Sequence, residues 1–164
     1  MSDERGQCRA GRTTRGGFTL IEMLVVLVIG GTLVGLAALA FARSSSRMSA
    51  QRAAQVFSRD LAMARSNAVR ERQKVTVAFN ESNKWYRVTT ATGRELVRRR
   101  FGTGGNVSVN LSALDLQTTG DSVVFTNRGV ATLATTLGTA LFRAGSATYT
   151  VSFNSLGAST IGGP

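Results

Sequence analysis

The chain has 164 residues and a formal net charge of +11, with 20 Lys and Arg against 9 Asp and Glu, no histidine and one cysteine. That length leaves room for one modest domain beside any membrane segment. With no histidine, and Cys8 as the only thiol, the usual general base, metal ligand and strong nucleophile are missing together, which argues against an ordinary hydrolase, a zinc site and any intramolecular disulfide. The charge is uneven: residues 43–100 hold 14 Lys and Arg against 4 Asp and Glu, whereas beyond residue 100 Arg128 and Arg143 are cancelled by Asp115 and Asp121. Such asymmetry marks either a polyanion or membrane-surface partner, or a solvated helix face.

Residues 1–17 are polar, with Arg5, Arg9, Arg12 and Arg15 against Asp3 and Glu4. From Phe18 to Ala42 the only ionisable side chain is Glu22. As a helix this run spans roughly 37 Å at about 1.5 Å per residue, enough to cross a hydrocarbon layer of about 30 Å with some tilt. A carboxylate near the end of such a helix costs on the order of a few kcal/mol unless it snorkels or finds a partner, so Glu22 is a functional candidate. Gly30, Gly31 and Gly35 weaken the helix locally, and Gly31 and Gly35 form a small-xxx-small pair; glycine is also simply frequent in membrane helices. Arg43, Arg47 and Arg52 follow the run almost as densely as the earlier arginines precede it, so charge alone does not orient it.

Three readings of this N-terminus compete. A secretory signal ending at Ala40-Phe41-Ala42 has the right small-x-small site, but the run far exceeds the usual stretch of about 7–15 residues and carries Glu22. A plain signal anchor explains the length but not the string Gly16-Gly17-Phe18-Thr19-Leu20-Ile21-Glu22. The third is a resemblance, given below.

From Ser44 to Arg72 there is no glycine or proline, and Ala54, Phe57, Leu61, Ala64 and Ala68 recur at spacings of three and four, one face of a helix. Arg52, Arg59, Arg65, Arg70 and Arg72 fall largely outside that stripe, which is expected to pack on a sheet. Unbroken, the helix runs from Phe18 to Arg72. Beyond Gln73 the period becomes two: Lys74 to Thr90 reads as a hairpin with a turn at Asn80–Asn83, and Glu95–Phe101 as a further strand. Val107, Val109 and Leu111 alternate again; Val123–Thr126 is a short strand, and Ala147–Asn154 is the clearest, with Ala147, Tyr149, Val151 and Phe153 facing one way. Residues 102–106, 118–121 and 131–139 are rich in Gly, Ser, Thr and Ala and read as loops. The fold class is therefore α+β: a long N-terminal helix packed on antiparallel strands.

Residues 16–42 resemble the prepilin cleavage and methylation segment of type IV pilins and type II secretion pseudopilins. The resemblance implies that a leader peptidase cuts between Gly17 and Phe18 on the cytoplasmic side. The mature chain, 18–164, then keeps the helix and has no cysteine, and the Phe18 amine is methylated. Residues 1–17 become a leader, 18–42 the membrane-spanning and filament-core helix, 43–72 the amphipathic helix of the head and 73–164 a β-rich periplasmic head. In a dry helical bundle Glu22 needs a counter-charge, and a neighbouring subunit's Phe18 amine supplies one; leaving either unpaired costs several kcal/mol. The proline frequent late in this run in the family is absent, with Leu39 about where it falls.

A narrower resemblance is to the GspH/FimT group of minor pseudopilins and minor pilins. It is carried by Leu61-Ala62-Met63-Ala64-Arg65-Ser66-Asn67-Ala68-Val69-Arg70, Val75-Thr76-Val77, Trp85, Val124-Phe125-Thr126-Asn127-Arg128-Gly129 and the stretch from Val151 to Gly157. Where many members carry Gly-Arg near the C-terminus, this chain has Gly157-Ala158. The resemblance implies a structural, non-enzymatic minor pseudopilin of a type II secretion system, without metal or cofactor, in the bacterial inner membrane with its head in the periplasm. Its partners would be other pilin-like subunits, the prepilin peptidase, the inner-membrane assembly platform and membrane lipid. The alternative is a minor type IV pilin whose basic head binds DNA during uptake. Arg98, Arg99 and Arg100 are then candidate phosphate contacts, although the same run can guard an exposed sheet edge. Trp85 and Tyr86 either stack on bases or pack in a core, and Arg65 reads as a packing or surface residue.

Overall fold

The structure, a computed structural model, describes residues 17–102, 104–117, 120–133 and 136–163. The expected leader, apart from Gly17, lies outside the described residues. The chain divides into two compact units, Met1–Ala38 and Leu39–Pro164.

Helix α1 runs from Leu20 to Arg70, two residues inside the expected limits at each end. Thr19 caps its start: its hydroxyl accepts the Glu22 N–H at 3.3 Å and its carbonyl accepts the Met23 N–H at 3.2 Å. The other end closes on Arg72, in the left-handed region at φ 52°. There the Gln73 N–H bonds the Ala68 carbonyl and the Arg72 N–H bonds that of Val69, the paired 6→1 and 5→2 pattern that satisfies the last free carbonyls.

In the second unit the stripe read from the sequence is the buried face: Ala54, Phe57, Leu61, Ala64 and Ala68 are fully buried, joined by Ala50 and Ala53. Arg52, Arg59, Arg65 and Arg70 face solvent. Two sheets complete this unit. One has the strand order β3-β2-β1-β5-β6 and contains β1 (Val75–Asn80), β2 (Trp85–Thr90), β3 (Glu95–Arg100), β5 (Ser122–Phe125) and β6 (Ala131–Thr132). The other has the order β4-β7-β8-β9, from β4 (Ala113–Gln117), β7 (Leu137–Ala144), β8 (Ala147–Asn154) and β9 (Ser159–Gly162). Every strand pair is antiparallel.

Phe57 of α1 is the centre of the core. Its ring meets Phe79 and Tyr86 from the first sheet at 5.3 and 5.4 Å, and Phe142 and Phe153 from the second at 5.5 and 6.1 Å, mostly edge to face. Phe101 continues the bridge, 5.8 Å from Tyr86 and 6.2 Å from Phe142.

The hairpin falls as expected, Val75 opposite Thr90 through Asn80 opposite Trp85, and β8 has the expected limits. Three expectations are corrected. Val107–Leu111 is not a strand: Val107 makes one isolated parallel bridge to Phe101, and Val109 and Leu111 are buried without joining a ladder. Residues 131–139 are not all loop, because β6 and the start of β7 lie there. The strands also form two sheets rather than one. The alternation of β7 is carried by Gly138, Ala140, Phe142 and Ala144, three of them too small to register as a hydrophobic row.

Candidate functional site

The N-terminal segment is built around Thr19. As the capping residue it fixes Glu22 at the third helical position, the Thr-x-x-Glu spacing of a capping box, where a carboxylate also sits favourably at the positive end of the helix dipole. Just ahead, Gly17 has open space around it and Phe18 is 76% exposed. The Gly17–Phe18 bond is thus unobstructed among the described residues. Glu22 is itself exposed and free to meet an outside partner.

In the head, the Arg98-Arg99-Arg100 run lies on β3, at the edge of its sheet, and strand alternation divides it. Arg99 turns inward. Its Nε donates to Asp60 Oδ2 at 2.8 Å and its Nη2 to Oδ1 at 3.1 Å, while the Tyr86 hydroxyl donates to Oδ2 at 2.8 Å. Asp60 is buried on α1, so this cluster ties the helix to β2 and to the edge strand. Burial, reinforced by the Asp60 charge, pushes the Tyr86 phenol far above its usual range, so it stays a neutral donor. The hydrogen bond to Asp60 holds the Arg99 guanidinium above even its ordinary value.

Sequence reasoning missed Asp60. The signal was present, since it lies three residues after Phe57 and four before Ala64, a carboxylate on an apolar stripe that must find a partner.

Arg98 and Arg100 face the other way, with Trp85 and Arg87 of β2. Trp85 stands opposite Arg100, and Arg87 opposite Arg98. The Arg87 and Arg98 guanidinium carbons lie 5.6 and 5.5 Å from the centre of the Trp85 ring, in cation–π range. Glu95 pairs with Arg98 at 2.9 Å. A cleft of about 240 Å³ opens between Asn83, Trp85, Arg98 and Arg100. The Asn106 side chain bonds the Arg98 carbonyl and the Arg100 N–H, closing part of the open strand edge. Tyr86 is core, whereas Trp85 belongs to this basic face.

Arg65 sits apart, at a cleft of about 440 Å³ shared with Ala62, Ser66, Val69, Arg70 and Gly157. The segments Leu61–Arg70, Val124–Gly129 and Val151–Gly157 meet here, since Gly129 and Gly157 both approach the Arg65 side chain. Among the described residues no group of three His, Cys, Asp or Glu side chains gathers as a metal cage would require.

A long capped helix whose apolar stripe packs against antiparallel sheets, led by Gly-Phe-Thr-Leu-Ile-Glu, defines a pilin-like subunit. Comparison with known proteins specifies the family. Residues 53–157 match the family described as Type II transport protein GspH, and residues 12–38 match the prokaryotic N-terminal methylation motif. The chain belongs to the GspH family. Among solved structures it is similar to the Pseudomonas aeruginosa type IV minor pilin FimU in its P21 crystal form, with TM-score 0.54 and 20% identity over 73% of this chain and 96% of that one. The P65 form of FimU gives TM-score 0.46 and 18% identity over 70% and 96%. No curated protein matches the chain. An apolar N-terminal helix behind a prepilin motif indicates membrane anchoring with an extramembrane head.

Proposed function

We propose that this chain is a minor pseudopilin, a non-enzymatic structural subunit of a type II secretion pseudopilus. Residues 1–17 are its cytoplasmic leader, 18–42 its span of the bacterial inner membrane and later filament core, 43–72 the helix of its head and 73–164 the β-rich remainder, in the periplasm. The prepilin peptidase cuts between Gly17 and Phe18 and the Phe18 amine is methylated. Other pilin-like subunits and the inner-membrane assembly platform then receive the mature chain. The observation that carries the proposal is the start of α1: an unobstructed Gly17–Phe18 bond followed by a Thr19 cap that fixes Glu22 in the first turn. A carboxylate held there meets a neighbour's Phe18 amine at a single axial offset, so the charge pair sets register.

The test is Glu22→Ala in the native host. The variant is expected to be cleaved and membrane-inserted, with mass spectrometry finding mature chain that begins at methylated Phe18, yet to be missing from cross-linked filament fractions. Normal incorporation would sink the proposal, as would native material beginning at Phe41 or Arg43.

A second reading, a minor type IV pilin with a DNA-binding head, is favoured by the basic face of Trp85, Arg87, Arg98 and Arg100. Arg99 enters it only indirectly, by anchoring β3 through Asp60. Under the secretion reading the detergent-solubilised chain binds a DNA oligomer weakly at physiological salt. Tight binding that falls with a log–log salt slope of about 0.7–0.9 per phosphate contact, and disappears in Arg98→Gln/Arg100→Gln, decides for uptake instead.

A further inference from the structure

We infer that the cleft between Arg43, Arg47 and the β7–β8 turn holds the phosphate of an anionic phospholipid headgroup. The inference rests on the reading of residues 18–42 as a membrane span. Arg43 directly follows the last residue of the apolar run, so it and Arg47, one helical turn on, fall at headgroup depth. Like charges four residues apart on a helix repel. Among the described residues neither arginine is relieved: the ion pairs there are Arg94–Glu71, Arg98–Glu95 and Arg99–Asp60, and neither the Arg43 nor the Arg47 side chain makes a hydrogen bond.

The two guanidiniums line a cleft of about 430 Å³ with Ser44, Ser146 and Ala147. The β7–β8 turn that forms its other wall is firmly seated. Ala144 pairs with Ala147 across the two-residue loop Gly145-Ser146, and Gly145 adopts φ 56°. A Cβ on Gly145 would come 2.9 Å from Ser46 Oγ, so the turn rests directly on the helix and holds Ser146 beside the arginines. Two guanidinium forks and two serine hydroxyls all donate, and phosphate oxygens only accept. No carboxylate lines the cleft, so the ammonium of a zwitterionic headgroup would meet only positive charge. An anionic glycerophospholipid offsets part of that charge with its phosphate and adds no cation of its own.

The assignment also explains why Arg43 and Arg47 stand where they do. Basic residues on the flank that crosses the membrane weaken the charge asymmetry that orients a span. At headgroup depth they gain lipid phosphates that an unpaired periplasmic arginine lacks.

The experiment uses the full chain in nanodiscs of phosphatidylcholine alone or mixed equally with phosphatidylglycerol, following amide hydrogen exchange at residues 145–147. Phosphatidylglycerol is expected to slow exchange there about ten-fold if the headgroup is present at ten times its Kd. Arg43→Gln/Arg47→Gln should abolish the difference while exchange along β1 and β2 stays unchanged. Equal exchange in the two lipids, or an undiminished difference in the double variant, overturns the headgroup site and leaves the pseudopilin reading standing. The same protection from inorganic phosphate in phosphatidylcholine discs overturns the lipid assignment in favour of a free-anion site. A chain extracted from the discs by alkaline carbonate defeats the membrane reading, and the headgroup site with it.

Discussion

Asp60 occupies a position where the helix stripe calls for an apolar side chain, and the structure tolerates it because three donors converge on its two oxygens. The partners come from 26 and 39 residues away, so the sequence displays the misplaced carboxylate but not what neutralises it. Removing one partner of a buried pair strands the other charge, which typically costs about 3–5 kcal/mol. The Arg99 side chain is 33% exposed, so solvent screens part of that loss and about 2–3 kcal/mol is expected for Arg99→Met. Tyr86→Phe removes one hydrogen bond while the guanidinium still satisfies the carboxylate, and should cost about 1 kcal/mol. Urea unfolding followed by Trp85 fluorescence checks the order; a larger loss in Tyr86→Phe would show that the phenol, not the ion pair, holds Asp60 in place. Arg98 and Arg100 were legible as a basic pair only once the strand's alternation was counted. Period two alone would have separated them from Arg99.

At the scale of elements, the end of α1 is one of two places among the described residues, with Lys84 at φ 51°, where a non-glycine residue takes a left-handed backbone. Arg72 takes the left-handed conformation that glycine usually fills, and a side chain there costs roughly 1 kcal/mol. Arg72→Gly should therefore stabilise the head by about 0.5–1 kcal/mol, seen as a higher urea midpoint with an unchanged m-value. A lower midpoint would mean that the Arg72 side chain makes a compensating contact. The helix itself, the β1–β2 hairpin and β8 were readable because each keeps one period with bulky residues on the inner face. β7 was not, since Gly138, Ala140 and Ala144 lie on its inward row and leave Phe142 as the only large side chain there. The clue lay at its end: Gly145-Ser146 before Ala147 is a two-residue hairpin signal, and β7 is the strand that must precede it. In 107–111 the alternation was real, but it buries Val109 and Leu111 without a neighbouring strand to extend.

For the molecule as a whole, positive charge dominates. Residues 43–100 carry 14 cations against 4 anions, and at low ionic strength that excess opposes the compact state. Salt shortens the reach of surface repulsion to about 10 Å at 0.1 M, while the buried Asp60–Arg99 pair is screened much less. The thermal midpoint of the head, read by Trp85 fluorescence in non-ionic detergent, should rise as salt is added from low ionic strength. A falling midpoint would show that attractive surface pairs such as Arg94–Glu71 and Arg98–Glu95 outweigh the repulsion.

By itself, the sequence determined the methylation motif around Gly17-Phe18, the lone carboxylate at Glu22, the helix with its apolar stripe, the basic half of the head and the family to which these belong. All of these are local, written in the spacing of residues along one element. Tertiary structure alone decided that Asp60 is paired, that Arg99 faces inward, that Trp85 belongs to a basic surface and Tyr86 to the core, and that the strands divide into two sheets. Each of these depends on which distant segments meet. Charge and burial are properties of neighbourhoods that only the folded chain creates.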